Sequence, residues 1–196
     1  GMEVGIVFAP VFHPSMRHAA PVRRALGLRT VFNLLGPLTS PARPRWQLVG
    51  VPRPELTEPI ARALMLLGSE RAWVVHGADG LDEISTVGYT KVSECRDRAV
   101  RTFFVHPSDF GVPPAKVSDL VGGDHAANAA IARGILAGSS GPARDIVLLN
   151  AGAALFVRGA ASTVREGMAR AAAAIDGGDA ARLLARLVSL SRETAS

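Results

Sequence analysis

The sequence predicts an α/β fold, a mixed and mostly parallel sheet flanked by helices. Two observations carry the α/β part. Short β-branched runs alternate with longer Ala- and Leu-rich stretches of helical period. A hydrophobic content of 48% over 196 residues also suffices to bury one substantial core.

The elements follow in order. Residues 4–8 read as a first strand, and Pro14 suits the first turn of a helix over 15–26, where a missing N–H costs nothing. Gly27 is its natural stop. Residues 34–39, with Gly36 and Pro37, read as a turn, and 46–51 as a short apolar strand. A helix over 55–67 ends at Gly68, and a buried strand over 71–76 runs into the loop 77–85. Strands are expected over 90–95 and 99–105, separated by the charged turn 96–98. Four helices close the chain, over 124–137, 145–157, 163–176 and 179–190, with Asp124, Asp145, Thr163 and Asp179 as N-caps.

Charge is unevenly placed. Residues 1–53 hold seven arginines and a single acid, Glu3, so the whole formal charge of +5 originates there. A basic cluster without balancing carboxylates calls for an anionic partner, because it otherwise repels itself. Cys95 is the sole cysteine, which excludes an internal disulfide framework, and no Cys/His cluster has zinc spacing. No apolar run approaches the roughly 18 residues of a membrane span, and the N-terminus lacks a signal-peptide pattern, so a cytoplasmic protein with no membrane partner is expected.

Two constellations could carry chemistry. On the helix over 15–26, Arg23 lies one turn beyond Ala19 and Ala20, a small-residue face that admits a planar ligand. His13 precedes it and could donate to a carboxylate that Arg23 grips with two N–H groups. The plainer alternative is that Arg23 pairs with the chain's own acids or is solvated. The second constellation is HGADGLDEIS, residues 76–85, at the C-terminal end of a buried strand, where ligands gather in open α/β sheets. Asp82 and Glu83 could both reach a hard cation such as Mg²⁺, directly or through water. The alternative is an ordinary acidic turn with Asp82 capping a following helix. Residues 122–128 read as a turn with Asp124 as cap rather than a phosphate loop, His76, His106 and His125 have no evident role, and Cys95 is a structural thiol.

Four segments add a resemblance. FAPVFHPSMRHAAPVRRALGLRTVFNLLGPLTSPA, VVHGADGLDEIS, GGDHAANAAI and GPARDIVLLNAGAAL occur in order, and together they resemble the anthranilate phosphoribosyltransferase family of the nucleoside phosphorylase-like transferases. The resemblance implies transfer of the 5-phosphoribosyl group of PRPP to the amino group of anthranilate, with release of pyrophosphate, Mg²⁺ as cofactor and a place in tryptophan biosynthesis. By motif, His13 and Arg23 match the anthranilate site, Ala9, Met16, Gly36 and Pro37 line the acceptor channel and hinge, and Asp82 and Glu83 bind metal. The resemblance also implies that residues 1–43 supply the first strand, the helical hinge segment and the returning helix of a small all-α domain, and 44–196 the C-terminal part of the large α/β domain.

The match departs from the family at Ser40, where Asn is usual in the turn, and at Met16, a variable position. The GTGGD, Asn-x-Ser-Thr and Lys-His-Gly-Asn segments of the family occur nowhere in the 196 residues. A C-terminal portion is therefore expected, inactive alone, whose full-length form binds anthranilate and PRPP and is a homodimer. The competing readings are a non-catalytic nucleic-acid-binding relative and a related transferase or phosphorylase with another acceptor. Retained His13, Arg23 and DEIS, with only 5% aromatic residues for base stacking, argue against nucleic acid as the partner.

Overall fold

The computed structural model describes residues 35–193. The expected strand over 4–8 and helix over 15–26, with Ala9, His13, Met16 and Arg23, lie outside the described residues. The described residues begin with a single helical turn, α1 (Leu35–Leu38), where a turn is predicted. Pro37 falls within that first turn, where a helix needs no N–H from it, so the Gly-Pro pair does not prevent helical geometry.

Strand β1 (Trp46–Gly50) leads through a 3₁₀ turn (Pro54–Leu56) into helix α2 (Thr57–Leu66) and back to β2 (Arg71–Gly77). This crossover makes β1 and β2 parallel, with Trp46 opposite Arg71 and Gly50 opposite Val75. Strands β3 (Thr90–Arg96) and β4 (Ala99–Val105) then add on antiparallel, giving the order β1-β2-β3-β4. The sheet is mixed, as expected, but two of its three described pairings are antiparallel. The cause is connection length: no helix separates β2 from β3, and β3 reverses into β4 at Asp97 and Arg98, both at positive φ (52° and 59°).

Alternation along the strands sends side chains to two cores. On one face Val49, Ala72, Val74 and Cys95 pack against Ile60, Ala61 and Leu64, the i, i+1, i+4 stripe of α2. On the other, Trp73, Val75 and Val92 meet Leu149, Ala153 and Val157 of helix α4 (Pro142–Val157). Each Val, Leu or Ile among them, fully buried, contributes roughly 1.5–3 kcal/mol. Polar atoms in the first core are paired in a chain: Thr57 Oγ1 donates to the Pro54 carbonyl at 3.0 Å, and Ser93 Oγ donates to Thr57 Oγ1 at 3.0 Å.

Four helices follow the sheet: α3 (His125–Leu136), α4, α5 (Val164–Asp176) and α6 (Asp179–Glu193). Asp124 and Thr163 cap α3 and α5 as predicted, accepting from the N–H groups of Ala127 at 2.8 Å and Glu166 at 3.1 Å. Asp145 and Asp179 are not caps. Helix α4 starts earlier, with Gly141 (φ 123°) as N-cap and Pro142 at the first helical position, so Asp145 lies inside the first turn. Asp179 is likewise the first residue of α6, where its charge still favours the helix dipole. Among the described residues no helix is long and apolar enough to cross a membrane.

Helices α4 and α5 touch backbone to backbone through Gly152 and Gly167. A Cβ at Gly167 would overlap the Gly152 carbonyl oxygen, and one at Gly152 would come within 2.6 Å of the Met168 backbone nitrogen. Alanine in a helix interior normally gains up to about 1 kcal/mol over glycine. Here the overlap is with backbone, which cannot swing away, so packing decides the sign. Gly167→Ala is expected to destabilise the fold by about 1–3 kcal/mol, read as a lower urea midpoint at unchanged m-value.

Candidate functional site

The loop leaving β2 is organised by its own hydrogen bonds. Gly77 N–H donates to the Leu81 carbonyl at 2.8 Å, and Gly80 N–H donates to the Gly77 carbonyl at 2.9 Å. Gly80 sits at φ 90°, a conformation that explains the glycine. Asp79 is spent on the loop: its carboxylate accepts from Leu81 N–H at 3.2 Å and from Ser85 Oγ at 2.6 Å. Ser85 Oγ in turn accepts from Val87 N–H at 2.9 Å, so this buried serine is a structural brace.

Asp82 and Glu83 remain. Both are exposed, neither pairs with a basic side chain among the described residues, and no helix follows for Asp82 to cap. They stand at the edge of a cavity of about 360 Å³. Its other walls are Leu48 and Gly50 of β1, Val75 of β2, and Val147 and Asn150 of α4. Gly50 is required there, since a Cβ would land on the carbonyl oxygen of Asp82. From the opposite side Asn150 Oδ1 accepts from Ile84 N–H at 2.9 Å, and Asn150 Nδ2 donates to the Ile84 carbonyl at 2.9 Å. Desolvation, and next the neighbouring Asp82 charge, hold the Glu83 carboxyl above the usual carboxylate range.

The donor set fits a hard divalent cation. No group of three or more His, Cys, Asp or Glu among the described residues forms a protein cage. Two adjacent carboxylates beside an open cavity instead match an ion such as Mg²⁺, which keeps several waters and shares oxygens with phosphate groups.

Other predicted residues fall elsewhere. Gly36 and Pro37 lie on α1, whose Leu38 packs against the core on the α2 face of the sheet, whereas the cavity opens on the α4 face. His76 is buried, and its Nδ1 meets the Val51 carbonyl at 2.8 Å, which makes it the donor that ties the ends of β1 and β2 together. The expectation that the early arginines lack balancing acids holds only in part, because Arg45 pairs with Glu70 and Arg53 with Glu55 at 3.3 Å. Cys95 is buried, and burial pushes its thiol pKa up, as suits a structural residue.

Gly50 and Asn150 line the candidate site, and sequence reasoning misses both. Asn150 carries a signal, a lone amide inside the apolar run LLNAGAAL. Gly50, in WQLVG, carries none that separates it from any other glycine at a strand end.

Comparison with known proteins gives a consistent picture. Residues 1–181 match the model of the glycosyl transferase family, a/b domain. The anthranilate phosphoribosyltransferase of Rhodospirillum rubrum is 53% identical over 187 residues, covering 95% of this chain and 54% of that protein. The crystal structure of the Thermus thermophilus anthranilate phosphoribosyltransferase superposes with a TM-score of 0.88 at 44% identity, over 96% of this chain and 56% of that one. The Saccharomyces cerevisiae enzyme, 32% identical, matches with a TM-score of 0.78 in its complex with PRPP and Mg, over 89% of this chain and 51% of that one. Its complex with 4-fluoroanthranilate matches with a TM-score of 0.82, over 92% and 53%. The chain spans about half the length of the curated relatives it matches.

The raised Glu83 carboxyl has a consequence for stability. The folded state holds this proton more tightly than the unfolded chain, so stability falls as pH rises from the ordinary carboxylate range through the raised value. Glu83→Gln removes that loss. In metal-free buffer at pH 7 the variant is expected to be more stable than the wild type by less than about 1 kcal/mol, given the group's exposure, and so to melt slightly higher. The difference should vanish below pH 4, and an unchanged or lower melting temperature at pH 7 would refute it.

Proposed function

The chain belongs to the glycosyl transferase family, and from that premise we propose that it is the C-terminal portion of an anthranilate phosphoribosyltransferase. The whole protein would transfer the 5-phosphoribosyl group of PRPP to anthranilate, releasing pyrophosphate, in tryptophan biosynthesis. The observation that carries this reading is the Asp82–Glu83 pair, unpaired among the described residues and held beside a cavity at the end of β2. It occurs in a chain whose yeast relative is solved with PRPP and Mg.

Asp82 and Glu83 would hold the Mg²⁺. Bound there, the ion would neutralise pyrophosphate and improve it as a leaving group. The chain's own residues have the remaining tasks. His13 and Arg23 would fix the acceptor's carboxylate, Arg23 through two parallel N–H bonds that a lysine could not reproduce. Ala9, Met16, Gly36 and Pro37 would shape the channel for the aromatic ring, and Ser40 and Met16 are the positions where acceptor fit would differ between relatives. Orientation of the two substrates would supply most of the rate, since a bound near-attack geometry replaces a bimolecular encounter.

In this reading residues 1–43 belong to a small helical domain and 44–196 to the large α/β domain. The GTGGD, Asn-x-Ser-Thr and Lys-His-Gly-Asn segments of the family would come from the half of the relatives that the chain does not cover. A cytoplasmic homodimer is the form proposed for the whole protein.

Two measurements test the reading. A chain extended to the relatives' length should consume anthranilate fluorescence when given PRPP and Mg²⁺, and the 196-residue chain alone should not. Turnover by the short chain at a normal rate would overturn the dependence on the other half. In the extended chain, Arg23→Ala should raise the KM for anthranilate about 10- to 100-fold, the equivalent of losing charge-assisted hydrogen bonds. An unchanged KM would remove Arg23 from the acceptor site.

A further inference from the structure

Asn150 is half-buried in α4, 66 residues from the loop it touches, and both ends of its amide are engaged with that loop. Its Oδ1 accepts the N–H of Ile84 and its Nδ2 donates to the carbonyl of the same residue, both at 2.9 Å. The second Nδ2 hydrogen goes to the Ile146 carbonyl, one turn back in α4, at 3.0 Å, which fixes the side chain on the helix. Ile84 follows Glu83 directly and is itself buried in the α4-side core. The peptide groups on both sides of Ile84 are thus clipped to α4. Two residues earlier, the Asp82 carbonyl rests on Gly50 of β1, where any Cβ would overlap it.

We propose that Asn150 and Gly50 are positioning residues for the Asp82–Glu83 pair: the helix grips the backbone on one side and the bare strand receives it on the other. This rests on the cation-binding reading of the pair given above. In this proposal the carboxylates would hold the cation, and Gly50 and Asn150 would act through the backbone of the loop. Together they set where the two carboxylates stand relative to the cavity. The purely structural alternative is that the Asn150 clip serves only to hold α4 against the sheet. It differs in one respect, because it leaves cation affinity in the folded protein unchanged.

Titration of the chain with Mn²⁺ in place of Mg²⁺, followed by electron paramagnetic resonance at a temperature where circular dichroism shows each variant folded, separates the two. Asn150→Ala is expected to bind Mn²⁺ at least about tenfold more weakly than the wild type, the usual effect of removing an outer-shell partner. Gly50→Ala should do the same from the β1 side, and it decides the matter should Asn150→Ala fail to fold. Wild-type affinity in a folded Asn150→Ala or Gly50→Ala chain overturns the assignment of that residue while leaving the cation reading intact. Wild-type affinity in the Asp82→Asn/Glu83→Gln double variant overturns the cation reading, and the positioning proposal falls with it.

Discussion

Strand β2 is covered on both faces and paired on both edges, and the rest of the molecule is arranged around that condition. From Ala72 onward every residue of the strand is buried, so each backbone polar group must find a partner inside the protein. β1 supplies partners on one edge and β3 on the other, while α2 and α4 seal the faces. The strand's C-terminal end is where this covering stops. The chain emerges there between β1 and α4, with His76 still buried and fastened to Val51, and turns at once into the acidic loop. The site lies where it does because the layers end there, which is also why ligands gather at such ends in open α/β sheets.

Within that setting the treatment of carboxylates is selective. Glu94, half-buried on β3, accepts from Arg71 Nε at 2.7 Å and from Trp73 Nε1 at 2.9 Å, while the Arg71 guanidinium also donates to the Phe156 carbonyl at 3.0 Å and lies over its ring. Asp79 is absorbed by its own loop. The chain therefore pairs acids where stability requires it. Asp82 and Glu83 stand side by side in no ion pair among the described residues, and burial, then the Asp82 charge, raises the proton affinity of Glu83. This like-charged pair works against stability in a fold that is otherwise consistent across levels.

Most of the scaffold was legible because it depends on local pattern. Alternation over WQLVG and RAWVVHG, and helical spacing over TEPIARALML, register burial directly, and Asp124 and Thr163 act through their own helix ends. What sequence reasoning misjudged depends on context. The Gly-Pro pair reads as a turn until the first-turn position of Pro37 is known, and Asp145 reads as a cap until Gly141 and Pro142 are seen to start α4 first. The pairing direction of β3 follows from the absence of a crossover helix after β2, a property of the connection rather than of the strand. In the site, Asp82 and Glu83 were visible as charge in a glycine-bearing loop. Gly50 and Asn150 were not, because their meaning lies in contacts made 32 and 66 residues away.

The amide at position 150 answers a narrow chemical requirement. The partner is a backbone that offers an N–H and a carbonyl from one residue, so the side chain must both accept and donate across a few ångströms. A serine hydroxyl is too short to span both groups, and a lysine has no acceptor. An aspartate could take the N–H but would remove the side-chain donor from the Ile84 and Ile146 carbonyls. It would also bring a third negative charge to a cavity already bordered by two. Only a neutral amide makes all three bonds without altering the charge that Asp82 and Glu83 present. The same neutrality is what conceals it, since an uncharged residue that spends every hydrogen bond on backbone carries no sign of reactivity of its own.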